Sequence, residues 1–400
     1  MTQLRTCAAV LLVAAVAAAC SGGSGQAGGP SKSPAIPPVV VGFINMEGSP
    51  AGSFPEAGAG ARAALAYVND QLGGIGGRPL QLSSCKTNGT PESSQACAQQ
   101  VLAAKPVAVV GGIDLAADAS VSVVTAAGVP YVTGSPTLTG ELTTPGSYAF
   151  TGGTAADLLG IGDYLIERLH VKSIHVLHED LPGLLNAAIS ATGDIFRAKH
   201  VTDVKLVAEK ADAADFAPAL TAAAAGNPQA IVVVFPAQSC ARILQAAQSL
   251  GVKSQMYYPG VCASKGVVGT ATGALDRSYF ASGFLPVAAS GGGPDADAFR
   301  KGVPVDQRSP VSEAAFGAVL NLARLMSSGA LTPAALKAKL AATHDQPGAL
   351  AHPYTCDGKQ LPLLQSVCNS NVRLLQYRGG AFTDFLGDWI SGAKLNDLVN

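Results

Sequence analysis

The sequence has few charged residues, a single tryptophan and no run of basic residues. Charged side chains make up 13% of its 400 residues, about half of the ~25% that is usual in soluble domains. Lys and Arg number 26 and Asp and Glu number 27, so the formal net charge is −1. Proteins that bind nucleic acid carry clusters of positive charge, so we expect no nucleic-acid partner.

Hydrophobic residues, in contrast, make up 48% of the chain. This proportion supplies ample material for a core and excludes a chain that is disordered throughout. A length of 400 residues favours two domains over one, because single hydrophobic cores stop growing at about 250–300 residues.

Apolar runs long enough to span a membrane are also lacking. The N-terminal run Ala8–Ala19 has 12 residues, whereas a membrane-spanning helix needs about 20. It follows the single charge of Arg5 and ends at Ala17-Ala18-Ala19-Cys20, which resembles the lipobox of bacterial lipoproteins. This resemblance predicts a signal peptide over residues 1–19 and a lipid on Cys20. An ordinary secretory signal with a small-residue cleavage site is the alternative.

The segment after Cys20 is predicted to be a flexible linker over residues 20–38. Ser21–Pro38 contains only Gly, Ser, Pro, Ala, Gln, Lys and Ile, a composition that cannot bury enough surface to fold. We therefore expect a soluble body tethered to the outer face of the bacterial cell membrane. The lipid on Cys20 is expected to be its one attachment to the membrane.

Six further cysteines fit an exported protein. They fall into three pairs that are close in sequence: Cys85 and Cys97, Cys240 and Cys262, and Cys356 and Cys368. Pairing within each group predicts three disulfides, although six cysteines allow 15 connectivities. None of them forms a CxxC motif or has a histidine at zinc-ligand spacing, so neither a metal site nor a cofactor is expected.

From Val39 onward, short β-branched runs alternate with segments rich in Ala and Leu. This alternation is typical of βαβ units with parallel sheets covered on both faces. It restarts after Phe150, which predicts an α/β protein with two Rossmann-like lobes. The predicted helices include Gly60–Leu72, a second helix capped by Thr90-Pro91, and Ala155–Leu169. Gly58–Arg62 is expected to form a tight loop into the first of these helices; an anion-binding site at the helix start is the alternative.

Ligands of open parallel sheets bind at the carboxyl ends of the strands. The loops that follow the predicted strands are therefore the expected binding loops. They are Asn45–Pro55, Gly111–Ala116, Gly134–Leu138, His178–Gly183, Pro236–Ser239 and Pro259–Ser264. A Cys240–Cys262 disulfide would brace two of these loops.

Several stretches of the sequence are similar to the type I periplasmic binding proteins, in particular the leucine/isoleucine/valine-binding group of ABC importers. The stretches that carry this resemblance are Gly60–Asn69, Gly73–Leu80, Val109–Gly112 and Ala127–Val132. The resemblance covers roughly Val39–Phe284 and, more loosely, the rest. It implies two lobes joined by a three-crossover hinge, the first comprising residues 39–150 plus 282–352 and the second residues 151–281 plus 353–389.

The resemblance also implies a set of ligand-binding positions. The family's carboxylate-binding Ser matches Leu115, beside Asp114, and its next contact matches Ser135 and Thr137. Its ammonium-binding acid follows the strand that ends at Tyr258, where this sequence has Gly260. The expected ligand-binding residues are Phe54, Asp114, Leu115, Ser135, Thr137, Asp180, Pro182, Gln238 and Tyr258.

Two of the acidic residues in this set have alternative roles. Asp114 would hold a cationic or hydroxyl group of the ligand, or else cap the helix that begins near Ala117. Asp180 would line the cleft or cap the helix that follows it. Because the family's Ser and acid are both replaced, an importer of some small organic molecule is favoured over an importer of amino acids.

No catalytic residues are expected. The sequence has no G-x-S-x-G motif, and the S-x-x-K pattern at Ser83–Lys86 lacks its companion motifs. The predicted function is a solute-binding lipoprotein that delivers a small organic ligand (amino-acid-like, an amide or an organic acid) to an ABC permease. The alternatives are a sensory receptor of the same fold and a secreted enzyme.

Overall fold

The described part of the chain comprises most of the body that follows the predicted linker. The computed structural model describes residues 36–49, 52–180, 184–286, 292–393 and 395. The predicted signal peptide, Cys20, nearly all of the linker and Pro182 lie outside these residues.

Five strands near the N-terminus form the first sheet. They are β1 (Val39–Met46), β2 (Leu80–Thr87), β3 (Val109–Gly111), β4 (Tyr131–Thr133) and β5 (Ser147–Ala149). Their spatial order is β2-β1-β3-β4-β5, and all neighbouring strands are parallel. The helices between them are α1 (Pro55–Asp70), α2 (Pro91–Ala103), α3 (Ala117–Ala126) and α4 (Thr139–Thr143).

A second sheet is built from the later part of the chain. Its strands are β6 (Ser173–Glu179), β7 (Asp203–Glu209), β8 (Ala230–Val234), β9 (Gln255–Tyr258), β10 (Ser278–Ser282), β11 (Asn371–Arg378), β12 (Ala381–Asp384) and β13 (Ile390–Ser391). The order is β12-β11-β10-β9-β8-β6-β7, with β13 paired to β11. Strands β6 to β10 are parallel, whereas β11 is antiparallel to β10 and β12. Its helices are α5 (Gly153–Asp163), α6 (Leu184–Ala198), α7 (Ala217–Ala224), α8 (Ala237–Leu250) and α9 (Lys265–Val268).

Both sheets are covered on their two faces, as parallel sheets require. In β8, Val232 and Val234 pack into one hydrophobic core, and Ile231 and Val233 pack into another on the opposite face. The predicted α/β fold with two parallel sheets is confirmed.

The chain passes between the two sheets three times. It leaves the first sheet after β5 and leaves the second after β10. The helices α10 (Gly293–Gly302), α11 (Pro310–Ser327) and α12 (Pro333–Ala341) then pack into the core of the first sheet. The next stretch runs along the edge of that sheet, where Val367 bridges to Ala149, and the chain finally enters β11 of the second sheet.

Most predicted elements match the observed ones to within a few residues, and the cap of α2 is confirmed: the Thr90 hydroxyl accepts a hydrogen bond from the Ser93 N–H.

The loop predicted over Gly58–Arg62 is wrong, because these residues lie inside α1. Small residues were needed there for close helix packing: a Cβ on Gly60 would lie 2.1 Å from the Ser312 carbonyl oxygen of α11. The predicted helix after Phe150 ends in a π-helical turn, Tyr164–Arg168.

The six cysteines of the body form three disulfides. They join the sequence-local partners Cys85–Cys97, Cys240–Cys262 and Cys356–Cys368. Cys240 lies in the first turn of α8 and Cys262 follows β9, so this disulfide links the loops at the carboxyl ends of β8 and β9.

Candidate functional site

A cavity lies between the carboxyl ends of strands from the two sheets. The space within it is about 350 Å³ when the open solvent at its mouth is counted. Its wall includes the residues after β4, β9 and β10, the start of α5 and the start of α11. The lining residues are Gly134, Ser135, Thr151, Gly153, Thr154, Asp157, Gly260, Val261, Ser282, Gly283, Phe284, Pro310 and Val311.

A second, smaller cavity adjoins the first on the side of the first sheet. It is too narrow to hold a water molecule, and it shares Gly134, Ser135 and Val311 with the larger cavity. Its other lining residues are Ala57, Gly111, Gly112, Ile113, Ala314 and Ala315. Together the cavities form one cleft (below, the interlobe cleft) that extends from the β3 loop of the first sheet to the β9 loop of the second.

Asp157 is the acidic residue that lines this cleft. It lies in the second turn of α5 and is 5% exposed. Its Oδ2 accepts a hydrogen bond of 2.7 Å from the Gly260 N–H, which ties α5 to the loop after β9. Burial raises the pKa of the Asp157 carboxyl to about 7, and the hydrogen bond from Gly260 opposes this shift.

Two hydroxyl residues hold the crossing segments of the chain against the cleft. The Thr151 hydroxyl donates to the Gly134 carbonyl oxygen at 2.8 Å. The Ser282 hydroxyl bonds to the backbone of Phe284, donating to its carbonyl oxygen and accepting from its N–H, each at 3.1 Å. Both side chains are therefore already hydrogen-bonded to backbone groups of the protein.

Other polar groups of the cleft remain available to a ligand. The side-chain hydroxyls of Ser135 and Thr154 make no hydrogen bond to the described residues. No Lys, Arg or His is among the residues that line the two cavities. The cleft therefore offers hydroxyl groups, backbone groups and one carboxyl, without a cationic side chain.

A buried glutamate shapes the loop that carries Ser135. Glu141 of α4 is fully buried, and its Oε2 accepts hydrogen bonds from the N–H groups of Thr137 and Leu138 at 2.8 and 3.0 Å. The Thr137 hydroxyl donates to the same oxygen at 3.3 Å. Burial raises the pKa of Glu141 to about 7. The Glu141 carboxyl group, which does not line the cleft, thus holds the loop after β4 in place.

Among the predicted ligand-binding residues that the structure describes, Ser135 is the one that lines the interlobe cleft. The Asp114 carboxylate accepts hydrogen bonds from the Ser94 hydroxyl at 2.8 Å and from the Ala116 N–H at 3.1 Å. Helix α3 has Ala116 at its N-cap and no side-chain cap hydrogen bond, so these two bonds hold the loop before the helix. Thr137 is bonded to Glu141, as described above, and Leu115 packs against the core of the first sheet.

Four more of these residues lie outside the lining of the two cavities. Phe54 is buried in the first core just before α1. Asp180 and Gln238 are exposed, after β6 and in the first turn of α8 respectively. Tyr258 is fully buried and stacks on Phe280 in the core of the second sheet, while the loop after it reaches the cleft through Gly260 and Val261.

Sequence reasoning missed the residues that the crossing segments contribute. Thr151, Thr154 and Asp157 follow the first crossing, and Ser282 to Phe284 form the second. Asp157 did carry a signal, because it is an acid between the apolar residues Ala156 and Leu158 of α5. Such a residue must face water, a partner or a site, since an unpaired buried carboxylate is unfavourable.

The described residues offer neither a metal-binding cluster nor a membrane-spanning helix. No group of three or more His, Cys, Asp or Glu is placed to hold a metal ion. None of the described helices is both long and apolar enough to cross a membrane.

Comparison with known families assigns the chain. The profile described as periplasmic binding protein matches residues 38–362. The chain belongs to this family. The family resemblance inferred from the sequence motifs is therefore confirmed, and an extracytoplasmic location follows from it at the level of the family. No curated protein sequence matches the chain.

Solved structures of periplasmic binding proteins share the fold. The branched-chain amino acid transporter substrate-binding protein LivJ from Streptococcus pneumoniae, in complex with isoleucine, aligns with a TM-score of 0.71 and 21% identity over 87% of this chain and 99% of its own. A solute-binding protein from R. palustris in complex with 4-hydroxybenzoate aligns with a TM-score of 0.71 and 16% identity over 88% and 97%. A fatty acid ABC transporter substrate-binding protein from Thermomonospora curvata aligns with a TM-score of 0.72 and 14% identity over 92% and 96%. At these identities the likeness concerns the fold.

Proposed function

We propose that this protein is an extracytoplasmic solute-binding lipoprotein that delivers a small organic ligand to an ABC importer. It binds the ligand without changing it chemically, and the closed, liganded form is what the membrane permease recognises. Cys20 carries the lipid that keeps the protein at the outer face of the cell membrane.

The interlobe cleft is the observation that carries this proposal. Its walls come from both sheets, with Ser135 on one side and Gly260 and Val261 on the other. Ligands of open parallel sheets bind at the carboxyl ends of the strands, and here two such ends face one cavity. A ligand in this cavity would contact both lobes at once and so favour the closed arrangement.

The lobes that close on the ligand comprise residues 39–150 with 282–352 and residues 151–281 with 353–389. Val367 still contacts the edge strand β5 of the first sheet. The chain therefore completes its third passage to the second sheet at Asn371, where β11 begins. Closure would then bend the chain near the three crossings, while the two sheets move as units.

A binding screen tests the proposed function. The mature protein, from residue 20 onward and without its lipid, is heated with amino acids, amides, aliphatic acids and aromatic acids, and each shift in Tm is recorded. A ligand at 100 times its Kd stabilises the folded state by about 2.7 kcal/mol, a shift that is easily measured.

Hits are then titrated by calorimetry, and the bound compound is recovered and identified. We expect one ligand per chain, recovered unchanged. Failure of every class to bind, or recovery of a converted product, would contradict a solute-binding role.

A further inference from the structure

The single tryptophan of the chain, Trp389, lies where the two lobes meet outside the interlobe cleft. The His352 ring packs edge to face with its indole, with ring centroids 5.6 Å apart and an angle of 81° between the ring planes. The Arg373 guanidinium lies over the same indole, with its Cζ 4.6 Å from the ring centroid. None of these three side chains lines either cavity.

The position of His352 is fixed by the first lobe. His352 lies near the tip of a hairpin whose sides are joined by an antiparallel bridge between Gln346 and Tyr354. Leu350 and Tyr354, two positions to either side of His352, are both buried in the core of the first sheet. Because its neighbours are held in this core, His352 must move with the first lobe.

Trp389, in contrast, is held by the second lobe. It immediately precedes β13, which pairs with β11 of the second sheet. Arg373, which lies over the indole, belongs to β11 and forms an ion pair with Asp384 of β12. Arg168, in the π-helical turn after α5, donates to the Trp389 carbonyl oxygen at 3.5 Å. The indole is thus placed by strands and a helical turn of the second lobe.

The contact between the two rings lies beside the third passage of the chain between the sheets. His352 is close to residues at the end of that passage. The Asn369 Nδ2 donates to the His352 carbonyl oxygen at 3.4 Å, and the Asn371 Nδ2 lies 3.3 Å from the His352 Nδ1. Since the rings belong to different lobes, a rotation of the lobes about the crossings changes the distance between them.

The arrangement of the lobes in this structure is one in which both of them line the interlobe cleft, with Ser135 from the first lobe and Val261 from the second. We call it the closed arrangement. Aromatic rings attract each other edge to face, because the positive edge of one meets the negative face of the other. An attraction made in one of two arrangements shifts the equilibrium toward it, here by about two- to tenfold from the usual strength of such contacts.

We propose that the contact between His352 and Trp389 is a clasp that stabilises the closed arrangement of the lobes from outside the cleft. Arg373 orients the indole for this contact and is itself held by Asp384. The inference goes beyond the proposed function, because the clasp acts on the lobes whether or not a ligand is bound. Its test therefore needs no ligand.

A purely local role for His352 makes a different prediction. Its Nδ1 lies 2.8 Å from the Pro353 carbonyl oxygen, so its hydrogen bonds would serve only to fix the turn that follows it. His352→Phe keeps a ring but removes the polar atoms, whereas His352→Asn keeps polar atoms but removes the ring. His352→Ala removes both. His344→Ala is the matched control, since His344 belongs to the same lobe but is exposed to water.

The test measures the separation of the lobes in the ligand-free protein. The mature protein, from residue 20 onward and without its lipid, is unfolded in urea, dialysed and refolded with its disulfides intact, which removes any bound compound. Circular dichroism and Tm establish that each variant is folded. Small-angle X-ray scattering then gives the radius of gyration. Quenching of tryptophan fluorescence by acrylamide gives the exposure of Trp389, since no other tryptophan contributes.

We expect His352→Ala and His352→Asn to show a larger radius of gyration than wild type and stronger quenching of Trp389. His352→Phe and His344→Ala should match wild type in the radius of gyration. A radius of gyration unchanged in His352→Ala or His352→Asn would overturn the inference, as would an increase in His352→Phe or His344→Ala. None of these outcomes depends on the binding screen, so failure of the clasp and failure of the proposed function are separate results.

Discussion

Glu141 shows how a single buried residue prepares the interlobe cleft. Its carboxyl accepts two backbone N–H groups of the loop that follows Ser135. It does so from the protein side of the loop, without lining either cavity. The conformation of the loop is thus set by a group whose charge depends on pH, since burial raises the pKa of Glu141 to about 7.

The pH dependence of stability should reveal this residue. The pKa of Glu141 is higher in the folded protein than its ordinary value of 4.5, so the folded state binds more protons between these two values. Stability must therefore fall as pH rises from about 4.5 to 7. Glu141→Gln removes this contribution. As pH rises over that interval, we therefore expect the free energy of unfolding of the variant to increase relative to that of wild type, by up to about 3 kcal/mol.

Urea unfolding at a series of pH values measures this difference. Glu92→Gln is a suitable control, because its exposed side chain faces water, and we expect its curve to run parallel to that of wild type. If the Glu141→Gln curve were also parallel to wild type, the account of this carboxyl would be wrong.

Residue positions in the cleft were only partly predictable from sequence. Ser135 was found because it follows a strand, and loops after parallel strands are where ligands bind. Asp157 was missed because it acts across the chain, on the N–H of Gly260, and motif spacing does not encode such a contact. Glu141 bonds to Thr137 and Leu138, four and three positions before it, so its contacts are local ones.

At the scale of elements, helix α11 organises the first lobe. It packs on α1 at Gly60, and it approaches the loop after β4 so closely that a Cβ on Gly134 would lie 2.2 Å from the Ala314 carbonyl oxygen. The start of α11 also lines the cleft through Pro310 and Val311. The position of one helix therefore affects both the core and the binding site.

Gly60→Ala should destabilise the protein for this reason. The added methyl group would collide with the backbone of Ser312, and overpacking of this kind costs about 1–3 kcal/mol or more. Thermal and urea unfolding measure the loss. Gly266→Ala is the control, because the nearest atom to its Cβ would be the Ser264 Oγ at 3.9 Å; an unchanged stability of Gly60→Ala would contradict the packing described.

The Cys240–Cys262 disulfide is expected to support ligand binding as well as stability. Replacing both cysteines with Ala should cost about 3 kcal/mol of stability by the chain-entropy model. Because Cys262 adjoins Gly260 and Val261 of the cleft, a looser loop should also weaken binding by about tenfold, through loss of preorganisation.

Removal of Cys85–Cys97 provides the comparison. This disulfide links β2 to α2, and its cysteines do not line the cleft. We expect a similar loss of stability with little change in ligand affinity, measured by urea unfolding and calorimetry. Equal losses of affinity in both double variants would show that the Cys240–Cys262 disulfide has no special role at the cleft.

The bounds of helices and strands were more predictable than their contacts. The hydroxyl cap and proline at the start of α2 are local signals, and the structure reproduces them. The start of α1 was misplaced, because its run of Ala and Gly resembles a loop until a second helix is seen to pack on it. Local sequence therefore predicts where a helix begins. It does not predict which other helix will pack so closely on it that only small residues fit.

At the scale of the whole molecule, the fold was the most predictable level. The alternation of strands and helices restarts after Phe150, and two sheets result. The path of the chain near Val367 was harder to predict from sequence. The contact of this stretch with β5 joins residues more than 200 positions apart. Contacts of this range arise from tertiary packing and have no local signature.

Attachment of the molecule to the membrane is a separate prediction, based on the sequence that ends at Cys20. Cys20→Ser should release the protein from the membrane fraction of the producing cells, because the lipid is the proposed anchor. Immunoblots of membrane and soluble fractions measure this. Cys7→Ser, within the predicted signal peptide, should leave the distribution unchanged, and retention of Cys20→Ser in the membrane fraction would refute the anchor.

The central claim is that a solute binds between the two lobes and is held by residues of both. A crystal structure of the protein with its best-binding ligand tests this directly. We expect the ligand in the interlobe cleft, within hydrogen-bonding distance of Ser135 on one side and of Asp157 on the other. A ligand seated on one lobe, away from the strand ends that face each other, would contradict the account.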